Sequence, residues 1–101
     1  VRLFMTEEEH IVYILKCGDG SLYTGYTNDL ENRLNVHESG KGAKYTRGRG
    51  PFQVMFVEKF STKEAAMKRE YEIKQLTRKG KFELIRDKLK EVMQNDHSKE
   101  L

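Results

Sequence analysis

Two short apolar runs joined by a glycine-flanked turn constrain this chain more than any other feature. Ile11 to Cys17 reads IVYILKC, a β-branched and aromatic run suited to a buried strand. Gly18-Asp19-Gly20 is a turn of hairpin length, and Ser21 to Thr27, SLYTGYT, is the return strand. The two-residue period of a strand sets Leu22, Thr24 and Tyr26 on one face and Tyr23 and Gly25 on the other.

The pattern then turns helical. Thr27 or Asn28 caps a helix from about Asp29 to Glu38, with Asp29 and Glu31 in its first turn, Leu30 and Leu34 on one side, and Gly40 closing it. Ser39 to Pro51, SGKGAKYTRGRGP, is too polar and glycine-rich for an element and reads as a structured loop. Phe52 to Phe60 is a third strand. Ser61 or Thr62 caps a second helix that runs to about Thr77, with Ala65, Ala66, Ile73 and Leu76 on one side and Gly80 near its end. A third helix spans about Lys81 to Met93 on the spacing of Phe82, Ile85, Leu89 and Val92. The order β-β-α-β-α-α predicts a small α/β sandwich, one three-stranded sheet covered by helices. The expected organisation is a flexible segment 1–10, a domain over 11–93 and a frayed tail over 94–101.

At 101 residues the chain is one domain with one modest core. Charged residues make up 35% of it and the net charge is +3, so the distribution of charge says more than the total. Cys17 is a lone cysteine, which excludes an internal disulfide framework and any Cys-based zinc spacing. No run has signal-peptide or membrane-span character, which predicts a cytoplasmic protein without a membrane partner. Val1 opens the chain, whereas Met5-Thr6 has the look of a natural start, which would set Val1–Phe4 outside the native protein.

Several polar residues carry chemistry in this arrangement. Arg33 and His37 are four apart, so they project from one face of the first helix. A guanidinium holds a phosphate at any relevant pH, and an imidazole orients or shuttles a proton near neutrality. On spacing alone a solvated helix face is the simpler account of this pair. Glu70 lies about 40° from Ala66 and about 60° from Ile73 around the second helix. A carboxylate at the margin of an apolar stripe needs a partner, a proton or a metal; Arg69 and Lys74 are the ordinary partners. Tyr13 and Tyr23 lie on paired strands, where tyrosine is commonly a core residue. Gly25 shares the face of Tyr23 and would leave room for a phosphate beside its hydroxyl. Lys41, Lys44, Arg47 and Arg49, with Tyr45 between them and no acidic residue, form a basic aromatic loop suited to nucleic acid.

Together these pieces resemble the GIY-YIG endonuclease superfamily. Val12-Tyr13-Ile14 is similar to its first signature element and Tyr23-Thr24-Gly25 to its second. Arg33 follows that glycine by eight residues and His37 comes four further on, with Glu70 on the later helix. The likeness runs from about Ile11 to Leu76. The stretch TGYTNDLENRLNVH…KYTRGRGPF also resembles the branch holding the catalytic subunit of structure-specific DNA-junction nucleases and small stand-alone bacterial proteins. Two departures stand out: Ile11 replaces the glycine that usually opens the first element, and Tyr26 stands where some members have a lysine.

The resemblance implies hydrolysis of a phosphodiester by in-line attack of water, with a place in DNA repair or recombination. Glu70 would hold one Mg²⁺ or Mn²⁺, Arg33 would stabilise the developing charge, and Tyr13 or Tyr23 would orient or deprotonate the water with help from His37. The implied partner is DNA, with RNA left open and no obligate protein partner. Gly25, Lys41, Lys44, Tyr45, Arg47 and Arg49 are the expected DNA contacts. The competing expectations are a binding module that kept the fold without useful catalysis, and a protein-interaction domain built on the third helix.

Overall fold

The computed structural model describes residues 9–100, with side chains described through Gln94. The expectation of a flexible start therefore lies largely outside the described residues, as does that for Val1–Phe4; His10 already belongs to a strand. Strands β1 (His10–Lys16), β2 (Leu22–Thr27) and β3 (Gln53–Phe60) form one antiparallel sheet in the order β2-β1-β3. Helix α1 (Leu30–Glu38) and a short 3-10 turn (Lys44–Thr46) lie between β2 and β3, and α2 (Lys63–Lys74) and α3 (Arg78–Glu100) follow. The expected α/β order holds.

β1 is central because it is the one strand without a solvent face: every residue from Ile11 to Leu15 is buried. Val12 and Ile14 join Phe56, Ala66, Ile73 and Ile85 in the main core, which α2 and α3 cover. Tyr13 points to the opposite face, toward α1. In β3 the pairing slips between Ile14 and Leu15, leaving Met55 without a partner on β1, a one-residue bulge.

Local chemistry explains the element ends. Asp29, not Thr27 or Asn28, caps α1, its carboxylate accepting from the Asn32 amide at 3.2 Å. At the other end Gly40, at φ +80°, donates to the His37 carbonyl while Lys41 donates to that of Val36, a glycine-closed helix end. Thr62 caps α2 by accepting from Ala65 at 3.2 Å.

Helices α2 and α3 correct several expectations. α2 ends at Lys74 rather than Thr77, and Ala65 and Leu76 are exposed instead of facing the core. Gly80 does not end α2. It lies in the first turn of α3, where its amide donates to Thr77 Oγ1 at 3.1 Å. α3 begins earlier than Lys81 and runs past the expected end at Met93 to Glu100. Ile85 is buried and Phe82 partly so, but Leu89 and Val92 are exposed, because the sheet beneath the helix ends before they do.

Candidate active site

The site starts from Tyr13, fully buried in the middle of β1. Its register partner on β2 is Gly25. A Cβ at Gly25 would stand 2.5 Å from Tyr13 Oη and 2.9 Å from the Tyr23 ring. The absence of a side chain there lets the Tyr13 ring lie across the strand. This corrects the expected use of Gly25: the space it leaves is filled by Tyr13, not held open for a phosphate.

α1 brings His37 to the end of that ring. Its Nε2 is 2.9 Å from Tyr13 Oη, and its Nδ1 is 2.9 Å from Thr46 Oγ1 in the loop that follows. Thr46 Oγ1 also lies 2.8 Å from the Ala43 carbonyl, to which it donates its single hydrogen. Thr46 is then an acceptor toward His37, so the imidazole carries its proton on Nδ1. Nε2 is left to accept from the Tyr13 hydroxyl, and a one-way chain runs from Tyr13 through His37 to Thr46. Gly42 supports it, because a Cβ there would sit 2.4 Å from His37 Nδ1. Neither Thr46 nor Gly42 stands out in the sequence; a Thr and a Gly following a helix with a histidine in its last turn carry no periodic signal.

The electrostatics follow from burial. Burial raises the Tyr13 hydroxyl from 10 to about 12, although the nearby Arg33 guanidinium pulls the other way. The neighbouring Tyr23 and Glu70 add to the rise. His37 is held below its ordinary value, first by burial and then by the Arg33 charge. At neutral pH the pair is therefore a neutral phenol donating to a neutral imidazole.

Tyr23 lies against the Tyr13 ring, and the charges of Arg33 and Glu70 are felt at its hydroxyl. The Tyr23 ring meets His37 edge-on at 5.4 Å and Tyr13 at 6.4 Å. Arg33 stands one turn before His37 on α1 and is half-buried. Glu70 comes from α2, between the buried Ala66 and Ile73, and its side chain is only 12% exposed. Its Oε2 pairs with Lys74 Nζ at 3.1 Å. Because β2 is an edge strand, groups from both faces of the sheet can meet beyond it.

Among the described residues no three His, Cys, Asp or Glu side chains gather into a metal cage. Glu70 is the carboxylate of this cluster that could hold a metal. A lone carboxylate suits a hard cation that keeps most of its waters and takes further oxygens from a substrate phosphate.

The basic loop is less uniform than its sequence suggests. Tyr45 stacks on Tyr23 at 6.1 Å and carries the Arg49 guanidinium over its ring at 4.4 Å. Arg49 is also tied to Asp19 of the hairpin turn, and Arg47 Nε donates to the Gly42 carbonyl at 3.2 Å. Lys41 and Lys44 are exposed.

The sheet order β2-β1-β3, with helices packed on it and the Tyr13–His37 pair against the central strand, is that of a small α/β domain of nuclease-family type. A family model described as the GIY-YIG catalytic domain matches residues 9–83, and the chain belongs to that family. A UPF0213 protein of Oceanobacillus iheyensis is 66% identical over 79 residues, covering 78% of this chain and 92% of its own. The NMR structure of a UPF0213 protein from Bacillus halodurans is 57% identical, with a TM-score of 0.52 over 76% of this chain and 82% of that one. An NMR structure from E. faecalis is 45% identical, with a TM-score of 0.58 over 79% and 85%. No described helix is long and apolar enough to cross a membrane.

Proposed function

We propose that the chain is a divalent-metal-dependent DNA endonuclease. The observation that supports it most is the directed chain from Tyr13 through His37 to Thr46, with Tyr23 against the Tyr13 ring and the charges of Arg33 and Glu70 felt at its hydroxyl. In this reading a water attacks phosphorus in line with the leaving oxygen, its proton passes to Tyr13 as the phenolic proton moves to His37 Nε2, the P–O bond breaks, and the leaving oxygen takes a proton from solvent water. Arg33 stabilises charge on the non-bridging oxygens. Tyr23 packs the other side of His37 and holds the ring in place. Glu70 is the residue for a Mg²⁺ or Mn²⁺ ion, which when bound would polarise the scissile phosphate and steady the leaving oxygen.

The test is a cleavage screen over single-stranded, duplex, flap and junction DNA, with and without Mg²⁺ or Mn²⁺, beside Glu70→Ala. Metal-dependent nicking is expected, absent in Glu70→Ala and lowered by roughly 10²–10³ in Arg33→Ala. Full cleavage by a folded Glu70→Ala protein would reject the reading.

One observation favours a second reading, a nucleic-acid-binding module with weak turnover. Tyr26, at the position where some relatives by resemblance carry a lysine, lies on the opposite face of β2 from Tyr23 and bonds to His10 at 2.7 Å. At this strand position the chain has a phenol engaged with His10 in place of an ammonium. Salt-sensitive binding without any metal-dependent product would select this reading.

A further inference from the structure

A groove of about 350 Å³ runs along the edge strand, walled by Tyr23, Thr24, Tyr45, Lys74 and Lys81. A hollow of about 240 Å³ continues it, sharing Tyr45 and Lys81 and adding Arg78. We propose that Lys74, Arg78 and Lys81, with the Thr24 hydroxyl, form a phosphate-binding subsite for the DNA strand as it leaves the scissile bond. This rests on the nucleic-acid reading above and extends it to residues outside the catalytic cluster.

Three independent features converge there. Thr24 is only 3% exposed, and its Oγ1 has no hydrogen-bond partner, although buried hydroxyls are ordinarily paired. It lines the groove, so a small turn of its side chain would offer the hydroxyl to a ligand oxygen. The first turn of α3 holds Arg78, Lys79 and Lys81 and no acidic residue. Cations at a helix N-terminus oppose the helix dipole, and an anion seated among them relieves both. Finally, burial and then the charge of Lys74 hold the Lys81 ammonium below its ordinary value. Lys81 and Lys74, the latter also paired with Glu70, therefore line one small volume, an arrangement that a phosphate would stabilise.

Position fits the same reading. Tyr23 belongs to both the catalytic cluster and the groove wall, so the two are continuous. Lys74 is one turn beyond Glu70 on α2, a rise of about 6 Å. A nucleic-acid strand presents a charge every ~3.4 Å of duplex axis, so the subsite lies within one or two phosphates of the cleaved bond.

The test is fluorescence anisotropy of a labelled single-stranded DNA of roughly a dozen nucleotides, titrated with the full chain in EDTA across a salt series. Arg78→Gln/Lys81→Gln is expected to weaken binding about tenfold and to flatten the log–log salt slope by about 1.4, two contacts at ~0.7 each. Lys88→Gln/Lys90→Gln removes equal charge further along α3 and should change the slope by less than half as much. Thr24→Val should melt no lower than the parent, since it deletes an unpaired hydroxyl, and yet bind more weakly. Equal losses in the two double variants, or parent-like binding by both Thr24→Val and Arg78→Gln/Lys81→Gln, would overturn the subsite. Cleavage is read separately with Mg²⁺. A protein that binds with this charge dependence and never cuts keeps the subsite and loses the endonuclease; one that cuts with an unaltered slope does the reverse.

Discussion

Tyr13 is buried, neutral and aimed, and each property has a separate cause. Its burial comes from the central strand, its neutrality from that burial, and its aim from a threonine in another segment. The raised hydroxyl value has a stability consequence with a definite sign. Below pH 10 both folded and unfolded chains keep the proton, and the full stability is present. Between pH 10 and about 12 the unfolded chain loses it while the folded one holds it, so stability falls across that window. Urea unfolding from pH 9 to 12 should show an alkaline loss on the order of 2 kcal/mol that is missing in Tyr13→Phe. Identical alkaline slopes for both proteins would mean that Tyr13 is not shielded as described. His37 carries the opposite sign. Its lowered value costs stability as pH falls below 6.5, where the unfolded imidazole charges first. Gly25→Ala sets a Cβ within 2.5 Å of Tyr13 Oη and should cost about 1–3 kcal/mol by overpacking. It should also displace the hydroxyl from His37, visible as a changed His37 Nε2 resonance in a ¹⁵N spectrum.

The elements show where the sequence pattern had enough information and where it did not. β1 and β2 were legible because a β-branched run, a glycine turn and a two-residue period all agree. Glu70 was placed correctly because 100° per residue sets it beside Ala66 and Ile73, both of which are buried. α3 was misjudged at both ends. Its apolar spacing continues through Leu89 and Val92, but helical periodicity reports which side a residue faces, not whether anything lies opposite. The sheet and α2 reach Ile85 and stop short of Leu89, which is 56% exposed. Ile85→Ala should therefore cost about 2–5 kcal/mol in chemical denaturation, and Leu89→Ala under ~1 kcal/mol. Equal costs would mean that the outer half of α3 is covered in solution. The Thr46–His37 contact was not legible at all, since it depends on how a glycine-rich loop folds back on α1, and no local pattern encodes that return.

Across the whole molecule, 19 basic residues stand against 16 acidic ones, so attraction for a polyanion depends on which cations remain free of internal partners. Arg69 is committed to Glu58 and Glu72 and Lys59 to Glu9, while Lys74 pairs with Glu70 and also lines the groove beside Tyr23. Arg49 shows the same competition within the expected DNA-contact loop, since Asp19 holds its guanidinium over the Tyr45 ring. Asp19 therefore works against DNA binding while it ties the hairpin turn to the loop. In Asp19→Asn the amide oxygen can still accept from Ser21, which donates to Asp19 through both its amide and its hydroxyl. The charge that restrains Arg49 is gone. That variant should bind duplex DNA more tightly, by about threefold at low salt, with a log–log salt slope steeper by up to ~0.9, one additional phosphate contact. Because the pair is exposed, its loss should change the melting temperature little. An unchanged slope in Asp19→Asn, beside a diminished one in Lys44→Gln, would remove Arg49 from the DNA surface and leave the loop's attraction to its free lysines.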